Sequence, residues 1–237
     1  MRIVLLVLAA CLPASAILYN IDQPVPISLA HAEYYVSARL WGDGGIMMRF
    51  GIGLFDRVTL GMSYGGDYII GNSTPRFFNR DPYRPEFQAR LAILQEQGYV
   101  PNVMLGFESQ GYDECIETEY QVREKGVYLC AGKTIDAIRT HCQLGLNYWK
   151  STGSGTGFDG FAALNTLLPG NAELIAEYDP AFNDHDEGLK HRGFLNFGIG
   201  WTFAEKIRMV VALRDVLGNL DETRLNRTLE LSINEHF

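Results

Sequence analysis

Two groups of residues in this 237-residue chain have types and spacings that could do chemistry. The densest is the run Asn183-Asp184-His185-Asp186-Glu187, with Lys190, His191 and Arg192 close behind. Carboxylates beside an imidazole can hold a divalent cation or pass a proton during hydrolysis. Asp184, His185 and Asp186 are therefore a candidate metal or acid–base loop, although a solvated polar loop is the simpler reading of such a segment. The second group is dispersed: Glu33, Arg39, Arg49, Arg90, Glu108, Glu177, Asp179, Arg208, Arg214 and Glu230. Ser109 and His141 would be the parts of a nucleophile–base pair, but they fall at opposite ends of different segments. No phosphate-cradling glycine loop and no zinc spacing occurs, and Gly153–Gly157 reads as a flexible loop. No cofactor is expected and no catalytic residue is assigned.

The elements that position the dispersed charges share a period of two. Tyr34, Val36, Ala38 and Leu40 alternate with Glu33, Tyr35, Ser37 and Arg39. Ile46, Met48, Phe50, Ile52 and Leu54 alternate with Met47, Arg49, Gly51 and Gly53, and Val58, Leu60, Met62 and Tyr64 repeat the theme after a tight turn at Asp56-Arg57. Side chains of a strand point alternately to opposite sides, so this pattern predicts strands whose faces meet different surroundings. Further segments follow at 87–93, 103–108, 127–131, 142–148, 174–179, 195–203, 207–214 and 229–234. One near 161–164 has an ambiguous phase, and the sum is twelve strands. Short turns such as Gln97–Tyr99 and Ala204-Glu205 follow the even strands, and long polar loops follow most of the odd ones. An even strand number with short turns at one end and long loops at the other is the layout of an outer-membrane barrel. The expected fold class is all-β: a closed antiparallel up-and-down transmembrane barrel.

Composition agrees with export and argues against other classes. Twenty basic against 28 acidic residues give a net charge of −8, the wrong sign for a nucleic-acid partner. Glycine is high, 25 of 237 or about 11% against a usual level of about 7%. Residues 1–16 carry Arg2, a short apolar stretch and Ala14-Ser15-Ala16, the pattern of a signal peptide. Leu8–Cys11 also resembles a lipoprotein box, which would place a lipid on Cys11. The expected division is a signal peptide over 1–16, a short periplasmic segment over 17–31 and the outer-membrane barrel over 32–237. Cys115, Cys130 and Cys142 are odd in number and spread over separate places and faces, so free thiols are expected.

A soluble lipocalin-like barrel would turn its apolar face inward and its polar face to water. Here the polar phase holds Gly, Ser, Thr, Asn and single charges with few lysines. The apolar stripes carry an aromatic near an end: Tyr34, Tyr64, Phe87, Phe107, Tyr148, Tyr178, Trp201 and Phe203. Such rings suit the two bilayer interfaces. The expected partners are outer-membrane lipid around the wall and the barrel-assembly machinery, with Phe237 as the C-terminal assembly signal. The ten charges would then face the lumen. Two readings stay open: a network of ion pairs filling the barrel, since isolated buried charge is costly, or a pore lining whose arginines attract anionic sugars. An outer-membrane hydrolase working through the Asp184–Asp186 loop and a soluble periplasmic binding barrel are the alternatives.

Several stretches resemble the YjbH-type outer-membrane proteins. These are Ser37–Ile46 continued by Gly53–Ser63, then Pro101–Tyr112, Gly126–Lys133, Ala176–Asp179 and Arg192–Asn219. The resemblance implies a single-barrel short form of a family linked to exopolysaccharide production or export. It implies polysaccharide or anionic sugars as partners, and no catalytic residue.

Overall fold

The computed structural model of the protein describes residues 17–77, 85–116, 119–149, 157–182, 189–220 and 227–237, with side chains outside 113–119. The period-two segments form twelve antiparallel strands that close into one transmembrane barrel. These are β1 (Glu33–Trp41), β2 (Gly45–Leu54) and β3 (Val58–Asp67), then β4 (Glu86–Leu94), β5 (Asn102–Glu108) and β6 (Gly126–Ile135). The ring continues through β7 (Thr140–Tyr148), β8 (Phe158–Leu167) and β9 (Ala172–Asp179). It ends with β10 (Phe194–Phe203), β11 (Ile207–Leu213) and β12 (Arg227–His236). Chain neighbours lie side by side, and β1 pairs with β12 from Glu33 opposite His236 to Trp41 opposite Thr228. Each wall strand lies beside its neighbours, with β6 and β7 joined by the single Tyr148–Gly126 bridge among the described residues. The ladders of the other seams satisfy backbone groups for which lipid offers no partner. The ambiguous segment is β8, with Asp159, Phe161, Ala163 and Asn165 buried inside and Phe158 and Leu164 exposed outside.

Turn chemistry fixes the register at the short-turn end. Phe55 and Asp56 both adopt the left-handed region, and the Arg57 amide donates to the Leu54 carbonyl at 3.2 Å. Two positive φ values match a two-residue turn to the right-handed twist of the strands. The turn is thus Phe55-Asp56, one residue before the expected Asp56-Arg57. Ala204-Glu205 repeats the geometry between β10 and β11.

Leucine, isoleucine, valine and aromatic side chains project outward: Leu60, Phe87, Leu144, Leu146, Ile199, Val211 and Leu231 are all exposed. At the other end the loop after β5 folds into a small hairpin, Tyr112–Ile116 against Glu119–Val122.

Residues 17–31, expected as a short periplasmic segment, lie within the barrel wall. They run into the barrel from the short-turn end, double back at Asn20–Gln23 and leave towards β1. The Val25 amide donates to the Leu18 carbonyl at 2.9 Å and the Asn20 amide to Gln23 at 3.0 Å. The physical reason is that the wall's inner face offers this segment both partners and room. Pro24 and Pro26 also remove two donors that a buried segment would have to satisfy.

The outward apolar belt predicts a lipid-dependent penalty. Ile199→Arg, near the middle of β10, should cost about 2–4 kcal/mol in urea unfolding from lipid vesicles. An unchanged midpoint would mean that this face does not meet lipid.

Candidate functional site, the filled lumen

The site is the interior of the barrel, where the inward phase of the strands meets the N-terminal hairpin. Glu33, Arg39, Arg49, Arg90, Glu108, Glu177, Asp179, Arg208, Arg214 and Glu230 all point inside, none more than 8% exposed. Most of them bond to the hairpin, and they do so by chemistry that its backbone requires. Three successive amides at the tip, Ile21, Asp22 and Gln23, donate to the Glu177 carboxylate at 3.1, 2.8 and 3.1 Å. This is an anion nest formed by a turn around a wall side chain. The outgoing carbonyls find cations: Leu18 accepts from Arg90 at 2.7 Å, Tyr19 from Arg208 at 3.1 Å, and Ile21 from Arg39. The Pro24 carbonyl accepts from Gln143 at 2.9 Å.

The hairpin's side chains are engaged in the same way. Asp22 lies between Arg39 Nη1 at 2.5 Å and Arg214 Nε at 2.6 Å, with Asn196 Nδ2 at 3.2 Å. The Tyr19 hydroxyl lies 2.7 Å from both Glu108 and Gln88 and donates to one of them. Its ring faces the guanidiniums of Arg49 and Arg90, each 4.4 Å from the centroid. Gln23 donates to Asp179, which also pairs with Lys125. Other charges pair along the wall. Glu230 accepts from Arg39 at 2.8 Å and Arg49 at 3.1 Å, Glu173 accepts from Arg208 at 2.5 Å, and Glu33 caps the Ala30 amide at 2.8 Å. Of the two lumen readings, the geometry thus combines ion pairing with a bound segment.

Apolar contacts complete the fit. Ile21 packs on Ile175, Val210 and Ala212, and Leu18, Tyr19 and Leu29 pack with Tyr35. A side chain at Gly53 would collide with Ala30 and Leu29, and one at Gly132 would press on Pro26. Part of the glycine excess in the inward phase therefore clears space for the hairpin. Above the tip, Trp41, Met47, Tyr112, Tyr120, Val122, Ala181, Phe194 and Leu220 form one apolar cluster that seals the loop end. Arg49 donates to the Tyr112 hydroxyl at 2.5 Å. Burial pushes the Tyr112 phenol up to about 12, although Arg49 and Arg39 pull it the other way. Between tip and cluster the cavity is about 10 Å³, room for about one water. Towards the short turns the lumen opens into a cavity of about 530 Å³ lined by Ile17, Asn20, Glu33, His141, Asn165 and Glu235, among others.

The remaining candidates lie elsewhere. Asp184, His185 and Asp186 fall outside the described residues. Cys130 and Cys142 are free thiols on opposite faces, and the Cys115 side chain is outside the described set. Among the described residues no group of three or more His, Cys, Asp or Glu could hold a metal ion. The exposed Phe237 ring rests on Tyr34 with centroids 4.9 Å apart, and its amide donates to the Ala32 carbonyl at 3.1 Å. Sequence reasoning did not single out Asp22, Tyr19, Glu173, Asn196, Gln143 or Tyr112. Their one signal was apolar residues in the polar phase, Tyr35, Met47 and Val210, which a water-filled lumen would not favour.

Neither protein-family models nor curated proteins give a match to the chain. Among solved structures it is similar to the KdgM porin, with a TM-score of 0.51 and 7% identity over 86% of this chain and 99% of that one. It is also aligned with the NanC porin, at a TM-score of 0.46, 10% identity, and 86% and 98% of the two chains. An outer membrane channel from Pseudomonas putida F1 gives 0.47 and 13% identity over 92% of this chain and all of that one. The KdgM likeness shows a shared fold, the porin-like outer-membrane barrel.

Removing the nest carboxylate should free the tip. Glu177→Ala should weaken protection of the Ile21–Gln23 amides by about 3 kcal/mol, roughly a hundredfold in hydrogen exchange. The amides of β2 and β11 should keep their protection. Equal loss throughout the barrel would mean that Glu177 supports the wall rather than the hairpin.

Proposed function

We propose that the chain is a non-enzymatic outer-membrane barrel that works as a small passive pore held shut by its own N-terminal hairpin. The observation that carries this reading is how the lumen is filled. The obstruction is a segment bonded to the wall by side chains, so it can leave without breaking the barrel's strand ladder. The fold shared with the KdgM porin supports the reading, as does an inner wall that presents Arg39, Arg49, Arg90, Arg208 and Arg214 along one passage. Arginines so placed favour anionic sugars over cations once the segment has moved. The resemblance of Ser37–Ser63 and Arg192–Asn219 to YjbH-type proteins supports a place in handling surface or exported polysaccharide. Outer-membrane lipid and the barrel-assembly machinery are the partners that this role requires, with an exported precursor cut after Ala16.

Planar-bilayer recording tests the pore. The protein should be closed most of the time, and Glu177→Ala or Arg90→Ala, each of which removes a hold on the hairpin, should raise the open fraction at least tenfold. Absence of openings in all three proteins would contradict the pore reading. For the cellular role, deletion of the gene should lower surface polysaccharide, and an unchanged amount would remove that part.

A further inference from the structure

The Asp22 carboxylate sits in a pocket already shaped for a carboxylate. Two guanidiniums, Arg39 and Arg214, approach its two oxygens at 2.5 and 2.6 Å, one oxygen each, and the Asn196 amide donates to the second oxygen at 3.2 Å. All three wall residues are buried: Arg39 on β1, Arg214 just after β11, and Asn196 on β10. Directly above lies the Tyr112 ring, whose centroid is 5.1 Å from the Arg39 guanidinium and 5.0 Å from that of Arg214. Around it the amides of Gln23, Gln110 and Asn196 and the carboxylate of Glu108 line the small cavity under the seal. Charge-assisted donors converging on one carboxylate, next to an aromatic face and amide groups, are the parts that bind an acidic sugar.

We propose that Arg39, Arg214 and Asn196 form a recognition site for the carboxylate of an acidic saccharide, which Asp22 occupies as a built-in competitor while the barrel is closed. The proposal rests on the pore reading and names the class of molecule that the open lumen selects. In it the hairpin tip and the ligand exclude one another. An acidic sugar held by the clamp would keep the hairpin out, and a neutral sugar would not.

The test uses the full mature chain in detergent micelles, with sodium glucuronate, sodium formate and glucose as probes in titration calorimetry. Asp22→Ala should bind glucuronate at least tenfold more tightly than the unsubstituted chain does, and at least tenfold more tightly than it binds glucose. Adding Arg214→Lys or Arg39→Lys to Asp22→Ala should weaken glucuronate at least tenfold, because lysine cannot reproduce the guanidinium geometry. Glucuronate no tighter than glucose, or indifferent to the lysine substitutions, overturns the proposal. Binding of formate alone also overturns it, since the clamp would then be only a structural partner for Asp22. Should Asp22→Ala lose the heat-dependent gel shift of a folded barrel, Asp22→Asn replaces it under the same criteria. Glucuronate binding without conductance would sink the pore reading and leave the clamp standing. Conductance without glucuronate binding would do the reverse.

Discussion

A peptide segment packed inside a closed barrel has little water to bond with at its buried tip, so the amides and carbonyls there must find partners on the wall. That constraint organises the interior of this protein. Glu177 is where it is because three amides of the tip need one anion. Arg90 and Arg208 are where they are because Leu18, Tyr19 and Asn20 turn carbonyls outward. A buried polar group left without a partner costs roughly 1–3 kcal/mol, and more when it is charged, so the wall and the hairpin have to match residue by residue. The same logic places Pro24 and Pro26, which bring carbonyls into the lumen and no amide protons.

In the proposed pore the inner wall serves two states. With the hairpin in place its charges are neutralised, by Asp22 for Arg39 and Arg214, and by wall partners such as Glu230 and Glu173 for Arg39, Arg49 and Arg208. Because Glu230 and Glu173 belong to the wall, part of that neutralisation survives withdrawal of the hairpin. Such a lumen can exchange one occupant for another without exposing its whole charge at once. The two ends are unlike: an apolar cluster closes the loop side, and a polar-rimmed cavity gives onto the short turns. Among the described residues, the larger free space beside the hairpin lies towards the short turns.

Most of the barrel was legible because period two is a direct consequence of strand geometry. Leu144 and Leu146 against Gln143 and Gly145, or Ile199 against Gly198 and Gly200, state which way each side chain points with no tertiary knowledge. The phase of β8 was harder, since Phe161 and Ala163 are apolar and yet lie inside, where Phe161 packs on Met104, Tyr128 and Cys130. The charged lumen residues could be placed by phase, but their partners could not, because a hairpin of mixed polarity at residues 17–31 shows no period. Its backbone contacts depend on the cations and anions opposite, which are distributed over strands far apart in sequence. Gly53 and Gly132 look like weak strand residues in isolation, and their use emerges only beside Leu29, Ala30 and Pro26.

Accessibility of the hairpin tip tests this account most directly. With Cys115, Cys130 and Cys142 replaced by serine, Ile21→Cys places one thiol at the tip, and Tyr99→Cys places one on the exposed turn between β4 and β5. A membrane-impermeant maleimide applied to folded protein in lipid vesicles should label the thiol at position 99 within minutes and leave that at position 21 unreacted until the barrel is unfolded. Labelling of position 21 as fast as position 99 in the folded protein would show that the segment lies outside the lumen, and the account would fail.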